Sequence, residues 1–216
     1  MRTSPRLFTV GHSHHEIGRL LALLRAAGAT AVADVRSQPY SQRHPQFNRP
    51  ELEDALRQGG LGYLFFGDTL GGRPRQRRVY DGDGRVDYER VRATAVFRRG
   101  LDLLCRAAEE DTVALLCAEE DPLDCHRGLM IAPALVERGL APDHLRGDGS
   151  VETTARMEDR LLAETGVGDG VLDGLFAATV TAAERGRLLA EAYRAMGRRK
   201  AFRLRAAGPG AERDSE

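Results

Sequence analysis

Four short apolar runs separated by stretches of helical periodicity set the strongest limit on how this chain can fold. LFTVG (7–11), ATAVADVR (29–36), LGYLFF (61–66) and TVALLCAE (112–119) are too short for buried helices and are apolar at consecutive positions, as strands covered on both faces must be. Each stops at glycine or at charge. After the first run, HEIGRLLALLRAAG places Ile17, Leu20, Leu21 and Leu24 on one helical face and ends at Gly28. ELEDALRQGG resumes that period after the long, proline-bearing loop SQPYSQRHPQFNRP, whose length suggests function. A helix is expected over 88–108 with Val91, Ala95, Leu101, Leu104 and Ala108 facing inward. GLMIAPALVERG follows the fourth run, Pro133 bending or restarting its helix, and a short strand near His144 and Leu145 closes the alternation. Strands separated by helices require right-handed crossovers. The expected fold is therefore α/β, a mainly parallel central sheet flanked by helices on both faces in a Rossmann-like three-layer arrangement.

Past about residue 150 the period is helical only, in ARMEDRLLAET and VTAAERGRLLAEAYRAMGRR. This divides the chain into a sheet domain (1–150), a helical extension packed on it or on a partner subunit (151–205) and a disordered polar tail (206–216). At 216 residues and about 150 per domain, one enlarged domain fits and a fusion of two enzymes does not. The 32 Lys and Arg balance 32 Asp and Glu, which removes the whole-molecule basic field of a non-specific nucleic-acid binder. Local basic groups remain: Arg73, Arg75, Arg77 and Arg78 in one loop, and Arg198, Arg199, Lys200, Arg203 and Arg205 near the end. Each group is either a set of phosphate contacts or a solvated charge run. No apolar run reaches the roughly 18 residues of a membrane span, and Leu7 to Val10 is too short for the apolar part of a signal peptide. A cytoplasmic protein without membrane contact is expected.

Ligands of an open parallel sheet bind outside the carboxyl ends of its strands, where loops and helix N-termini leave backbone N–H groups unpaired. That edge collects His12, Ser13, His14 and His15 after the first strand, Asp34, Arg36, Ser37 and Tyr40 after the second, and Asp68 and Arg73 after the third. Cys117, Glu119, Asp121, Asp124, Cys125, His126 and Arg127 follow at the fourth. His144 and Cys105 stand apart. Chance would scatter reactive side chains over both edges, so the asymmetry points to a site. Cys125 precedes a helix whose N-terminal partial charge favours a thiolate, with His126 and Arg127 adjoining; Glu119, Glu120, Asp121 and Asp124 in the same loop push the other way. Cys125 is either a nucleophile or ligand or a half-buried structural cysteine. Cys117, inside an apolar run, reads as core.

Asp34 and Arg36, two residues apart in a strand, point the same way and form an ion pair or leave Arg36 as an anion clamp. His12 is a candidate acid or base. The three neighbouring histidines have no carboxylate at a fixed distance, and the three cysteines form no CxxC pair, so neither a metal nor another cofactor is expected. Neither Cys117 nor Cys125 has an arginine five or six residues on, which excludes a phosphatase-type loop. A P-loop and a GxGxxG turn are also absent from the sequence.

TVGHS, ADVRSQPYSQRHPQFN, GGLGYLFFGDTLGGRP and LLCAEEDPLDCHRGLMIAPALVERG, in that order, resemble the family called domain of unknown function 488. Its pattern is a GHS-type first loop, DVR followed by Pro and PxFN, an LGG turn, and LLCxE followed by CHR. The resemblance runs from about Leu7 to Leu145, continues through Glu164, and leaves the helices beyond without a counterpart. It implies an α/β domain with a central parallel sheet and supplies no reaction. By matching motif it singles out Gly11, His12 and Ser13; Asp34, Arg36, Pro39, Pro45, Phe47 and Asn48; Leu70, Gly71 and Gly72; and Cys117, Glu119, Cys125, His126 and Arg127. His14 and His15 lie outside that pattern.

These residues predict a small thiol-dependent transferase or hydrolase with a Cys-His-Arg site for an anionic substrate, either a nucleotide, a nucleic-acid fragment or a phosphorylated metabolite. Cys125 would be the nucleophile or redox thiol, with His126, His12 or Glu119 moving its proton. Ser13, Asp34, Arg36, Tyr40, Asn48, Arg73 and Arg127 would surround the substrate. The competing expectation is a non-catalytic module that binds nucleotide or nucleic acid on the same edge. The C-terminal helices offer a surface for a homodimer.

Overall fold

Because strand side chains alternate between faces, consecutive apolar residues commit a strand to cover on both sides. A computed structural model, which describes residues 7–169 and 180–204, shows this arrangement. Strands β1 (Leu7–Gly11), β2 (Ala31–Asp34), β3 (Gly62–Phe65), β4 (Val113–Cys117), β5 (Asp143–Leu145) and β6 (Val151–Thr153) form one sheet in the order β3-β2-β4-β1-β5-β6. All pairings are parallel except β5 with β6. Phe8, Val10, Val32, Ala114 and Leu116 pack against Leu20 and Leu24 of α1 (Ile17–Ala26) and Leu52 and Leu56 of α2 (Arg49–Gln58). Leu7, Ala31, Ala33, Val113 and Leu115 turn the other way. They share a core with Phe97, Leu101 and Leu104 of α5 (Ala95–Glu110), after the short helices α3 (Gly67–Leu70) and α4 (Tyr88–Arg92). The three-layer α/β fold follows.

The neighbours β1 and β4 send the chain in opposite directions, β1 over β4 to β2 and β4 over β1 to β5. Their carboxyl ends therefore flank a topological switch point, where open α/β sheets hold their ligands. Close approach there needs Gly11, because a β-carbon on it would overlap the carbonyl of Glu119.

Three expectations change. The helix foreseen over 88–108 breaks in two, because the Thr94 side chain accepts the N–H of Phe97 at 3.1 Å and caps α5 anew, which turns Ala95 outward. Its inner face is otherwise as read. The segment after Cys125 starts as a π turn (Arg127–Ile131) before α6 (Ala132–Val136), since Pro133 has no N–H to continue the ladder. The sheet also runs past the expected boundary at residue 150: a turn closed by Arg146 N–H on the Ser150 carbonyl at 2.9 Å brings β6 back along β5.

The extension comprises α7 (Thr154–Thr165) and α8 (Ala182–Lys200). Met157, Leu161, Leu162, Ala192 and Met196 bury Leu123 and Leu129 from the segment after β4, so these helices pack on the loop that carries the candidate residues. Among the described residues, no helix is long and apolar enough to cross a membrane. The tail expected to be disordered (206–216), and Arg205, lie outside the described residues.

Candidate thiol and imidazole site

Period-two alternation puts Cys117, the last residue of β4, on the α5 face beside Leu115. The loop that follows doubles back and sets Cys125 and His126 against it. His126 Nδ1 lies 3.6 Å from Cys125 Sγ and 3.7 Å from Cys117 Sγ. Its Nε2–H donates to the Val35 carbonyl at 3.0 Å, which fixes the ring with Nδ1 toward both sulfurs. The ring fits because residue 72 is glycine, where a β-carbon would stand 2.8 Å from it. Cys117 Sγ donates to Glu119 Oε2 at 3.1 Å, and Cys125 Sγ accepts the Arg127 N–H at 3.5 Å.

Burial opposes ionisation of Cys125. The Cys117 thiol beside it and the positive charges of His126 and Arg127 outweigh that cost, and the Cys125 thiol is held well below its ordinary value. Burial and the Cys125 charge push Cys117 up. His126 is raised in turn: burial disfavours its cation, but the Cys125 thiolate and Glu119 favour it more. Burial and the same thiolate raise Glu119. The arrangement favours negative charge on Cys125 and a proton on His126 and disfavours ionisation of Cys117.

The acidic loop does not cancel it, because three of its four carboxylates point elsewhere. Glu120 and Asp121 take Arg146 at 2.8 and 3.1 Å, Asp121 also takes Arg160 of α7 at 2.9 Å, and Asp124 takes Lys200 of α8 at 2.5 Å. Only Glu119 of the four faces the sulfurs.

Arg127 does not serve as the expected substrate clamp. It is fully buried, with Nη1 and Nη2 donating to the Glu119 and Glu120 carbonyls at 2.6 Å each and Nε to Thr9 Oγ1 at 3.3 Å. Its work is to hold the loop after β4 in place. No carboxylate pairs with it among the described residues, so its charge acts on the sulfurs.

Arg36 is likewise engaged. Nε and Nη2 fork onto Asp34 at 2.9 and 2.6 Å, and Nη1 donates to the Phe47 carbonyl at 2.8 Å and to His12 Nε2 at 3.3 Å. Asp34 also accepts the Tyr63 hydroxyl at 2.9 Å. Of the two readings of this pair, the ion pair is the one formed. His12 stacks on Phe47 with ring centroids 4.3 Å apart and donates Nδ1–H to the Ser13 carbonyl at 3.0 Å. Burial and Arg36 hold it at about 4, so it is a neutral spacer on the α1/α2 face.

A cavity of about 290 Å³ opens above the sulfurs. Cys117, Glu119, Cys125 and His126 line it together with Arg36, Arg73 and Lys200. Arg73 lies with its guanidinium 4.8 Å over the Phe202 ring and donates to Gln38 Oε1 at 3.2 Å, with no carboxylate partner among the described residues. Ser13, Asp34, Tyr40, Asn48, His12 and Arg127 do not line this cavity. Tyr40 is 70% exposed, Asn48 Oδ1 ties down the Ser41 N–H at 2.6 Å, and Ser13 holds a φ of 46° with its N–H on the Ala118 carbonyl at 2.8 Å. The first-loop histidines diverge, with His14 Nδ1 3.3 Å from His44 Nε2. A larger cavity of about 520 Å³ between α4, α6 and α8 lacks any cysteine or histidine in its lining.

Cys117, expected on this edge but as core, joins the site, as its parity with Leu115 and its place at the strand's end allow. Lys200 belongs to the basic cluster named from the sequence, but its meeting with this cavity, like that of Phe202 just past α8, has no local signal in the sequence.

Fold and site together define an α/β protein with a buried thiol and imidazole cluster at the switch point of its sheet. The chain belongs to the family described as domain of unknown function DUF488, whose model matches residues 16–132, more than half of its length. The match holds the second and third motifs and the fourth as far as Ala132, and starts after the GHS loop. Comparison with curated proteins and with solved structures gives no match.

Proposed function

We propose that the chain is a small enzyme that takes an anionic substrate into the 290 Å³ cavity and acts on it through the cysteine and histidine cluster on its floor. One observation carries the reading: two sulfurs and an imidazole nitrogen meet beneath a rim whose arginine, Arg73, has no carboxylate partner among the described residues. The volume lies near the lower limit of small-molecule sites, about 300 Å³, which favours a phosphorylated metabolite or single nucleotide over a polymer. Binding along the basic C-terminal cluster is less favoured, because Lys200 pairs with Asp124, Arg199 with the Glu164 carbonyl and Arg203 with the Asp83 carbonyl. In the thiol reaction, Cys125 Sγ bonds to the electrophilic atom, His126 gives its Nδ1 proton to the leaving group, and water or an acceptor then cleaves the covalent intermediate.

The test is turnover of a panel of phosphate esters, nucleotides and phosphorylated small molecules. Cys125→Ser should abolish kcat, and Arg73→Ala should raise KM by about tenfold, the value of one charge-assisted hydrogen bond. Full turnover by Cys125→Ser removes the thiol from the mechanism, and binding of the panel without turnover by the native chain leaves a binding module.

A further inference from the structure

The geometry points to a second capacity of the same three side chains: Cys117 Sγ, Cys125 Sγ and His126 Nδ1 form a three-donor site for a thiophilic divalent cation, zinc first, with a fourth position open to the cavity. This goes beyond the proposed reaction and does not depend on it.

All three donor atoms lie within 4.8 Å of one another, and the residues are buried. The two sulfur-to-nitrogen spacings are close to those of a coordination tetrahedron. A zinc ion with Zn–S of about 2.3 Å and Zn–N of about 2.1 Å sets its sulfur and nitrogen ligands about 3.6 Å apart. The sulfur to Nδ1 distances here are 3.6 and 3.7 Å.

The surroundings match the chemistry of a ligand set. A metal-bound histidine presents one ring nitrogen and gives its other N–H to a carbonyl or carboxylate, which orients the ring and fixes its tautomer. Val35 supplies that carbonyl at 3.0 Å. The backbone N–H of Arg127 donates to Cys125 Sγ, and its buried guanidinium, without a carboxylate partner among the described residues, favours negative charge on the sulfurs. Two thiolates and one imidazole suit zinc over the hard cations, which prefer oxygen.

Binding displaces protons and changes no oxidation state. Whatever protons the two sulfurs and Nδ1 carry leave to solvent as the ion takes all three donors. The three donors line the cavity, so the fourth position faces it, beside Glu119. Three protein ligands with one exchangeable position is the pattern of a catalytic rather than a structural zinc site. With the ion in place Cys125 is a ligand, and an anionic oxygen reaching the cavity meets the metal.

The experiment uses the full chain, reduced and stripped of metal, titrated with zinc and separately with cobalt(II). One equivalent should bind, and the cobalt form should show thiolate-to-metal charge transfer with the intense visible bands of tetrahedral coordination. Cys117→Ala, Cys125→Ala and His126→Ala should each weaken binding by more than about 100-fold, beyond the ~10–100-fold of an outer-shell change. Cys105→Ala, which removes an α5 sulfur that accepts a hydrogen bond from Arg138, should bind as the native chain does. Because a variant can fail to fold, maleimide labelling of the unaltered chain is the second readout: zinc should protect Cys117 and Cys125 and leave Cys105 reacting at its own rate. No protection together with a cobalt spectrum lacking thiolate bands overturns the inference. It can fall while the thiol reading stands, as when Cys125 reacts and no metal binds. The converse, stoichiometric metal with no anion turned over, leaves this inference and removes the proposed reaction.

Discussion

His12 shows how a residue chosen for its chemistry can be held for its shape. Stacked on Phe47, donating to Ser13 and accepting from Arg36, it has no room for a second proton. The folded chain holds it at about 4 against an ordinary 6.5. Between those values the unfolded chain binds the extra proton and the folded one does not. The contribution of the neutral ring is therefore complete above about pH 6.5 and is lost as the pH falls toward 4, about 3 kcal/mol in all. Urea unfolding at pH 7, 5.5 and 4.5 should show that loss in the native chain and a flatter profile in His12→Gln; parallel profiles would refute the buried neutral ring. At this scale the sequence identified Cys125, His126, Glu119 and Arg73 as cavity residues by type and position. It misjudged Arg127, because nothing local distinguishes an arginine that meets solvent from one whose donors are all taken by carbonyls.

The loop after β4 is the element on which the site depends, and it is held from three sides. Arg127 takes its carbonyls, Leu123 and Leu129 sink between α7 and α8, and Arg146 and Arg160 neutralise Glu120 and Asp121. Burial works against ionised Asp121, but hydrogen bonds from Arg160 and Arg146 hold its carboxyl well below the usual carboxylate range. Arg160 and Asp121 are only partly buried, so solvent screening reduces what the pair contributes. A double-mutant cycle of Arg160→Ala and Asp121→Asn, read by thermal unfolding, should give a coupling of about 1 kcal/mol. Strict additivity would mean that α7 does not clamp the loop through this contact. The periodicity of α7 and α8 announced the helices plainly. Their partner could not be read, since an apolar stripe says that a surface must be covered and not which surface covers it.

Across the whole molecule one buried line of hydrogen bonds joins the site to the β5–β6 edge of the sheet. Arg127 Nε–H donates to Thr9 Oγ1, the Thr9 hydroxyl donates to His144 Nδ1 at 2.8 Å, His144 Nε2–H reaches Thr154 Oγ1 at 3.4 Å, and Thr154 donates to the Pro142 carbonyl. Every donor has one acceptor, so the direction of the line is fixed, and burial with the charges of Arg127 and Arg146 keeps His144 neutral at about 3. Thr9→Val and Thr154→Val should each cost about 1–2 kcal/mol. Because both act on the same imidazole, urea unfolding of the double variant should depart from additivity by about 0.5 kcal/mol or more. His144, set apart in the sequence, thus belongs to the frame that seats Arg127.

What the sequence determined by itself is the layered sheet, the parallel sense of its main strands and the edge that gathers the reactive side chains. Those follow from periods of two and of about 3.6 residues, which a chain carries locally. Which of those side chains meet was decided only by tertiary structure. Cys117 joins Cys125 and His126 because the loop between them folds back, His126 is aimed by the carbonyl of Val35 just past β2, and the rim is finished by α8. Each of these depends on backbone paths set by contacts far apart in the chain, and spacing along a sequence carries no record of them.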